Sequence, residues 1–100
     1  GGEQQMVAIA RALCVNPVLL LLDEPLEGLM PMLARRVLET LGSLAKEGIG
    51  ILLVEQRIEA ALQVADAVLL LEGGRIAYEG TRREILEDPE PLRRHLGIWR

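Results

Sequence analysis

Pro17-Val18-Leu19-Leu20-Leu21-Leu22-Asp23-Glu24-Pro25 decides the reading of this chain. The aliphatic run has the length of a buried strand. It ends on two adjacent carboxylates and then on a proline that blocks continuation as a helix. A packed core does not accept two ionisable acids at that junction, because desolvating a carboxylate costs roughly several kcal/mol unless a cation or a hydrogen-bond donor answers it. A strand tip aimed at a metal ion and a phosphate supplies that answer. Asp23 then holds Mg²⁺, usually through water, and Glu24 orients and deprotonates an attacking water. The alternative is a strand end whose acids simply face solvent.

Working outward, Gly1-Gly2-Glu3-Gln4-Gln5 opens a helix expected from about Gln4 to Val15, with Met6, Ile9, Ala10, Leu13 and Cys14 on its apolar face. A glycine-rich helix start offers bare N–H groups and a positive dipole end to an anion. Asn16-Pro17 breaks that helix. Pro31 opens a second one, striped by Leu33, Val37, Leu41 and Leu44, with Leu38 and Ala45 beside the stripe and Gly48 and Gly50 at its end. Ile49 to Val54 is expected as a buried strand, Ile58, Ala61, Leu62 and Ala65 mark a third helix, and Val68 to Leu71 is a further strand. Glu72-Gly73-Gly74-Arg75 forms a hairpin turn back into Ile76 to Glu79. Two short helices follow, at about Arg83 to Leu86 and Pro91 to Leu96, the first announced by a Thr81-x-x-Glu84 capping box. Strands alternating with helices indicate an α/β fold with a mainly parallel sheet. No repeat, low-complexity tract or internal domain boundary is visible.

Composition narrows the function. One hundred residues, half of them apolar, suit one small domain. A net charge of −4, with scattered Lys and Arg, argues against a nucleic-acid surface, and the two aromatics, Tyr78 and Trp99, do not make a base-stacking platform. Cys14 is the single cysteine, so no intrachain disulfide forms; it is expected as a core thiol. No apolar run approaches the roughly 20 residues of a spanning helix, so membrane association must go through a partner rather than by direct insertion. Arg35, Arg36, Arg57, Arg82, Arg83, Arg93, Arg94 and His95 are expected on solvated faces, and Arg11 is expected to pair with an acid near the strand ends.

Gly1-Gly2-Glu3-Gln4-Gln5, Ala10-Arg11-Ala12-Leu13, Leu19 to Pro25 and Glu27-Gly28-Leu29 together resemble, in order and interval, the signature motif, Walker B strand and D-loop of the ATP-binding-cassette (ABC) ATPases. Ile51 to Gln56, Ala65-Asp66, Leu71 to Ile76 and Glu79-Gly80-Thr81 extend the resemblance over essentially the whole chain. It implies the P-loop NTPase (ABC ATPase) fold, a mainly parallel sheet with flanking helices. It also implies ATP and Mg²⁺ as cofactors, and two nucleotide-binding subunits that sandwich two ATP molecules head to tail. Gly1, Gly2, Glu3 and Gln4 would then be signature residues, the first three facing the γ-phosphate of the opposite subunit. Asp23 would be the metal ligand, Glu24 the base, and Glu27 and Gly28 the D-loop residues beside the nucleotide. Most relatives carry a histidine after the strand ending at Val54-Glu55. This chain has Gln56, which donates a hydrogen bond but carries no charge; the resemblance assigns it the switch position.

Val54-Glu55-Gln56, the run Asp23-Glu24-Pro25-Leu26-Glu27-Gly28-Leu29-Met30-Pro31 and the short tail from Glu87 to Gly97 resemble the ATPase subunits of branched-chain amino acid importers. Urea, amide or lipopolysaccharide transporters and non-transport ABC ATPases are the alternatives. Leu26 departs from the subfamily's usual serine. The implied partners are a second ATPase subunit and transmembrane permease subunits, at the cytoplasmic face of the cell membrane. Glu55 next to Gln56 is expected to pair with an arginine across the subunit interface.

The chain starts inside a motif, and no Gly-x-x-x-x-Gly-Lys-Ser/Thr loop occurs in it; the sole lysine, Lys46, sits in a helix. Residues 1–100 are therefore expected to be the C-terminal part of one nucleotide-binding domain, inactive without the Walker A half. The resemblance also implies that a phosphate-loop strand lies between those ending near Val54 and Leu71; without it two edges would be bare, which favours self-association.

Overall fold

The computed structural model describes residues 2–97. The expected roles of Gly1 and Trp99 lie outside the described residues. The chain divides into two compact units at Val64–Ala65, a point that no shift in composition marks.

The first unit holds α1 (Gly2–Leu13), β1 (Leu19–Asp23), α2 (Pro31–Lys46), β2 (Gly50–Val54) and the single turn α3 (Ile58–Ala61). The third helix is thus shorter than its apolar spacing predicted. Asn16, in the left-handed region at φ 50°, and Pro17 turn the chain out of α1. Pro31 starts α2, and Gly48, at φ 99°, ends it while its N–H and that of Ile49 reach back to Ala45 and Leu44. β1 and β2 are parallel, in a register that runs from Leu19 opposite Gly50 to Asp23 opposite Val54.

Helices cover only one face of this pair. Leu20, Leu22, Ile51 and Leu53 join a core with Ile9, Leu26, Leu29, Ala34, Val37, Leu38 and Leu41. Each fully buried aliphatic side chain there contributes about 1.5–3 kcal/mol by leaving water. Leu19, Leu21, Leu52 and Val54 lie on the opposite face and stay exposed. The expectation of buried strands holds on one face only: burial alternates with the two-residue period of the pleat. The apolar face of α1 is also rotated from its predicted position. Gly2 and Ile9 are buried, with Ala12 and Leu13 beside the core, whereas Met6 and Ala10 are exposed. Cys14, expected in the core, is exposed past the end of α1 and donates its thiol hydrogen to the Ala10 carbonyl at 3.4 Å.

The second unit holds β3 (Ala67–Glu72), β4 (Arg75–Thr81), α4 (Arg82–Glu87) and α5 (Glu90–Leu96). β3 and β4 form an antiparallel hairpin. Gly73 and Gly74, at φ 58° and 78°, supply the two left-handed positions of the tight turn. Parallel pairing is therefore found in β1–β2 and antiparallel pairing here. Among the described residues β2 pairs only with β1 and β3 only with β4, so each has one unpaired edge. Ile85 and Leu92 seat the two helices. His95, expected on a solvated face, is largely covered, and its Nδ1 lies 3.4 Å from Glu72 Oε1.

The capping box forms as read: Glu84 N–H donates to Thr81 Oγ1 at 3.1 Å, and Thr81 N–H donates to Glu84 Oε1 at 2.9 Å. The Thr81 backbone bond and then the Thr81 side-chain bond hold the Glu84 carboxyl below its ordinary value of 4.5. A depressed carboxyl stabilises the fold above its unfolded value and loses that contribution as pH falls through the folded one. Protection of α4 amides from hydrogen exchange is thus expected to fall as pH is lowered below 4.5. Glu84→Gln should remove that acid limb; an unchanged profile in the variant would assign the limb to another carboxyl.

Candidate functional site

The parallel register brings Asp23 level with Val54, so both strands deliver their following residues to one end of the sheet. Ligands of open α/β sheets bind at this carboxyl end. Glu24 leaves the strand in the left-handed region at φ 47°, a conformation uncommon for a residue with a Cβ. Its N–H donates to the Val54 carbonyl at 2.7 Å, which holds the two strand tips together. Pro25 and Leu26 are buried, Leu26 completely. The turn is closed by Glu27 N–H to Glu24 O at 3.2 Å and Leu29 N–H to Leu26 O at 3.1 Å, with Gly28 at φ 74°.

Glu55 crosses between the two tips. Its Oε2 accepts from Leu26 N–H at 3.3 Å, and its Oε1 accepts from the N–H groups of Gln56 at 3.1 Å and Arg57 at 3.2 Å. Arg57 Nη1 in turn donates to the Leu26 carbonyl at 3.3 Å. One expectation changes here: Arg57, read as a plain surface residue, is tied to the turn after β1. Within its own chain Glu55 contacts backbone. A carboxylate directly after a strand end, followed by unpaired N–H groups, was the signal for the Glu55 contacts. No local pattern signals the contact between Arg57 and Leu26, which bridges 31 positions.

Glu24 is half-buried, and its carboxyl is pushed above its ordinary value. Desolvation is the largest cause, followed by the charges of Glu27, Glu55 and Asp23 and a hydrogen bond to Glu27. A carboxyl with raised proton affinity at a strand tip is suited to accept a proton from water. Among the described residues no group of three or more His, Cys, Asp or Glu side chains is placed to hold a metal ion. Magnesium is commonly held by one or two protein carboxylates, with phosphate oxygens and waters completing its shell. The exposed Asp23 carboxylate fits that donor set.

The predicted site residues fall in two places. Asp23, Glu24, Glu27, Gly28 and Gln56 gather at the strand tips, Gln56 exposed and anchored through its N–H. Gly2, Glu3 and Gln4 start α1, where Glu3 and Gln4 line an open depression with Val7, Ala8 and Arg11 that includes none of the strand-tip acids. Gly2 is buried: a Cβ there would lie 3.1 Å from Leu33 Cβ and 3.2 Å from both Leu33 methyls. A Cβ at position 2 would thus be tighter than ordinary contact, and Leu33 would have to give by a few tenths of an ångström. Gly2→Ala gains at most about 1 kcal/mol of helix propensity and meets overpacking of about 1–3 kcal/mol. A lowered denaturant midpoint is expected, and an unchanged midpoint would show that Leu33 yields freely.

Comparison with known proteins bears on the family and the fold. Residues 1–27 match the ABC transporter family. The fold superposes on MJ1267, an ATP-binding cassette of an ABC transporter solved in its ADP conformation, with a TM-score of 0.82 and 31% identity, over 98% of this chain and 40% of that one. It likewise matches cbiO1 of Clostridium perfringens, part of the ABC transporter complex cbiONQ, with a TM-score of 0.80 and 33% identity over 93% of this chain and 38% of that one. The chain belongs to the ABC transporter ATP-binding family, and its fold is that of an ABC ATPase.

Among curated relatives it is 45% identical, over 97% of its length and 42% of theirs, to the high-affinity branched-chain amino acid transport ATP-binding protein BraG of Pseudomonas aeruginosa. It is 41% identical, over 93% of its length and 39% of theirs, to the glutamine transport ATP-binding protein GlnQ of Escherichia coli. The chain spans about two fifths of the length of these relatives. No helix among the described residues is long and apolar enough to cross a membrane.

Proposed function

We propose that this chain is the C-terminal part of an ATP-hydrolysing subunit that energises amino-acid import, with branched-chain amino acids as the solute. The observation that carries the reading is the junction of Asp23 and Glu24 with Glu55 and Gln56 at the carboxyl end of a parallel strand pair. In this reading Asp23 holds Mg²⁺, which neutralises phosphate charge when bound. Glu24 accepts the proton of the attacking water, and Gln56 donates a hydrogen bond toward the terminal phosphate. Glu27 and Gly28 shape the D-loop. Gly1, Gly2 and Glu3 face the nucleotide of a second ATPase subunit, with Gln4 beside them in the signature segment. Nucleotide-driven closure of the pair acts on permease subunits from the cytoplasmic face of the membrane. The 45% identity to a branched-chain transport protein supports the solute, set against 41% to a glutamine one.

The test has two arms. ATP turnover by the full-length protein tests the enzyme, and its absence in the presence of permease overturns the ATPase reading. Uptake of labelled leucine, glutamine and urea after deletion of the gene tests the solute. Selective loss of leucine uptake is expected; selective loss of another reassigns the solute.

A further inference from the structure

We propose that Glu55 and Arg57 are positioning residues that lock the turn carrying Glu24 to the segment carrying Gln56, so that base and switch residue move as one body. The inference rests on the ATPase reading above and adds two residues to which that reading gives no task. The Glu55 carboxylate takes three backbone N–H groups, one from Leu26 beyond β1 and two from Gln56 and Arg57 beyond β2. Arg57 closes the loop by donating to the carbonyl of the same Leu26. Leu26 is thereby held at both its N–H and its C=O, while its side chain is anchored in the core. The bond from Glu24 N–H to Val54 O is the third tie between the two tips.

A lone carboxylate at this place could equally have faced solvent. Its two oxygens are instead divided between the two segments, an arrangement that fixes their relative position. A displacement of about 1 Å between reacting groups can cost about 100-fold in rate. Loosening this clamp should therefore act on the chemical step and leave nucleotide affinity in place, since neither residue is assigned to nucleotide binding.

The experiment measures kcat and KM for ATP in the full-length protein. Glu55→Ala is expected to lower kcat at least about tenfold with KM within about twofold. Glu55→Gln keeps one acceptor oxygen and should recover part of the loss. Arg57→Ala should show a smaller fall in kcat. The double variant Glu55→Ala/Gln56→Ala should fall little below the worse of its two single variants, because both disable one device. The proposal is overturned if Glu55→Ala keeps wild-type kcat, if it raises KM without changing kcat, or if its effect and that of Gln56→Ala multiply independently. Should Glu55→Ala fail to fold, the kcat of Glu55→Gln and its coupling to Gln56→Ala decide by the same criteria. Glu24→Gln run alongside separates the two claims. Its inactivity beside a normal Glu55→Ala removes the clamp and retains the ATPase reading; normal turnover in Glu24→Gln removes Glu24 as the base, and absence of ATP turnover in the unaltered protein removes the ATPase reading.

Discussion

Glu24→Gln in the full-length protein is expected to lower ATP turnover by at least about 100-fold, the scale of a lost general base, while ATP binding persists. Glutamine keeps the size and one acceptor oxygen of the side chain but takes no proton. The backbone placement does not depend on the carboxylate, because Glu24 is held through its N–H to Val54 O. The variant should therefore assemble the pocket and stall before hydrolysis, accumulating an ATP-bound dimer visible by size-exclusion chromatography. The raised proton affinity of Glu24 adds a second expectation. A base must be ionised to act, so wild-type turnover should fall on the acid side at a pH above that of an ordinary glutamate. Glu27→Gln removes one charge and a hydrogen bond that raise the Glu24 carboxyl, and should move that limb to lower pH. Normal turnover in Glu24→Gln would show that the water is activated elsewhere.

Leu26→Ala is expected to cost about 2–5 kcal/mol of folding stability, the range for truncating a fully buried leucine. Leu26 has no exposed surface and packs in the core with Leu20, Leu29 and the buried face of α2. Its truncation opens a cavity directly beneath the turn that presents Glu24 and Glu27. Leu26→Ser, which restores the residue usual in the resembled subfamily, should also destabilise, since its hydroxyl would enter a space that leucine fills. Denaturant midpoints measure both, with Leu86→Ala, at a side chain 44% exposed, as the comparison. A loss below about 1 kcal/mol for Leu26→Ala would mean that the turn is not held from below.

The order of elements was legible because each carries a local signal: Pro31 at a helix start, Gly73-Gly74 in a tight turn and Thr81 with Glu84 as a cap. These are interactions over a few residues, and the structure forms each of them. Strand existence was equally plain from the aliphatic runs, but their burial was not. Leu21 and Leu20 are chemically identical neighbours, yet one is 65% exposed and the other 6%. Which side of a strand meets the helices depends on where α1 and α2 lie, and a continuous run of leucines conceals it. Cys14 was misplaced for a related reason: it lies past the last turn of α1, where helical spacing no longer decides which way a side chain points.

Residue type and spacing alone determined that two acids stand at the end of an aliphatic strand and that an amide follows a second such strand. Only the tertiary structure decided that these ends are level, because parallel register and the bond from Glu24 to Val54 join segments 30 positions apart. It also decided that Gly2 answers to Leu33 and that Glu55 holds Leu26. Such contacts form between segments distant in the chain, and their geometry follows from how helices pack on a sheet rather than from any local preference.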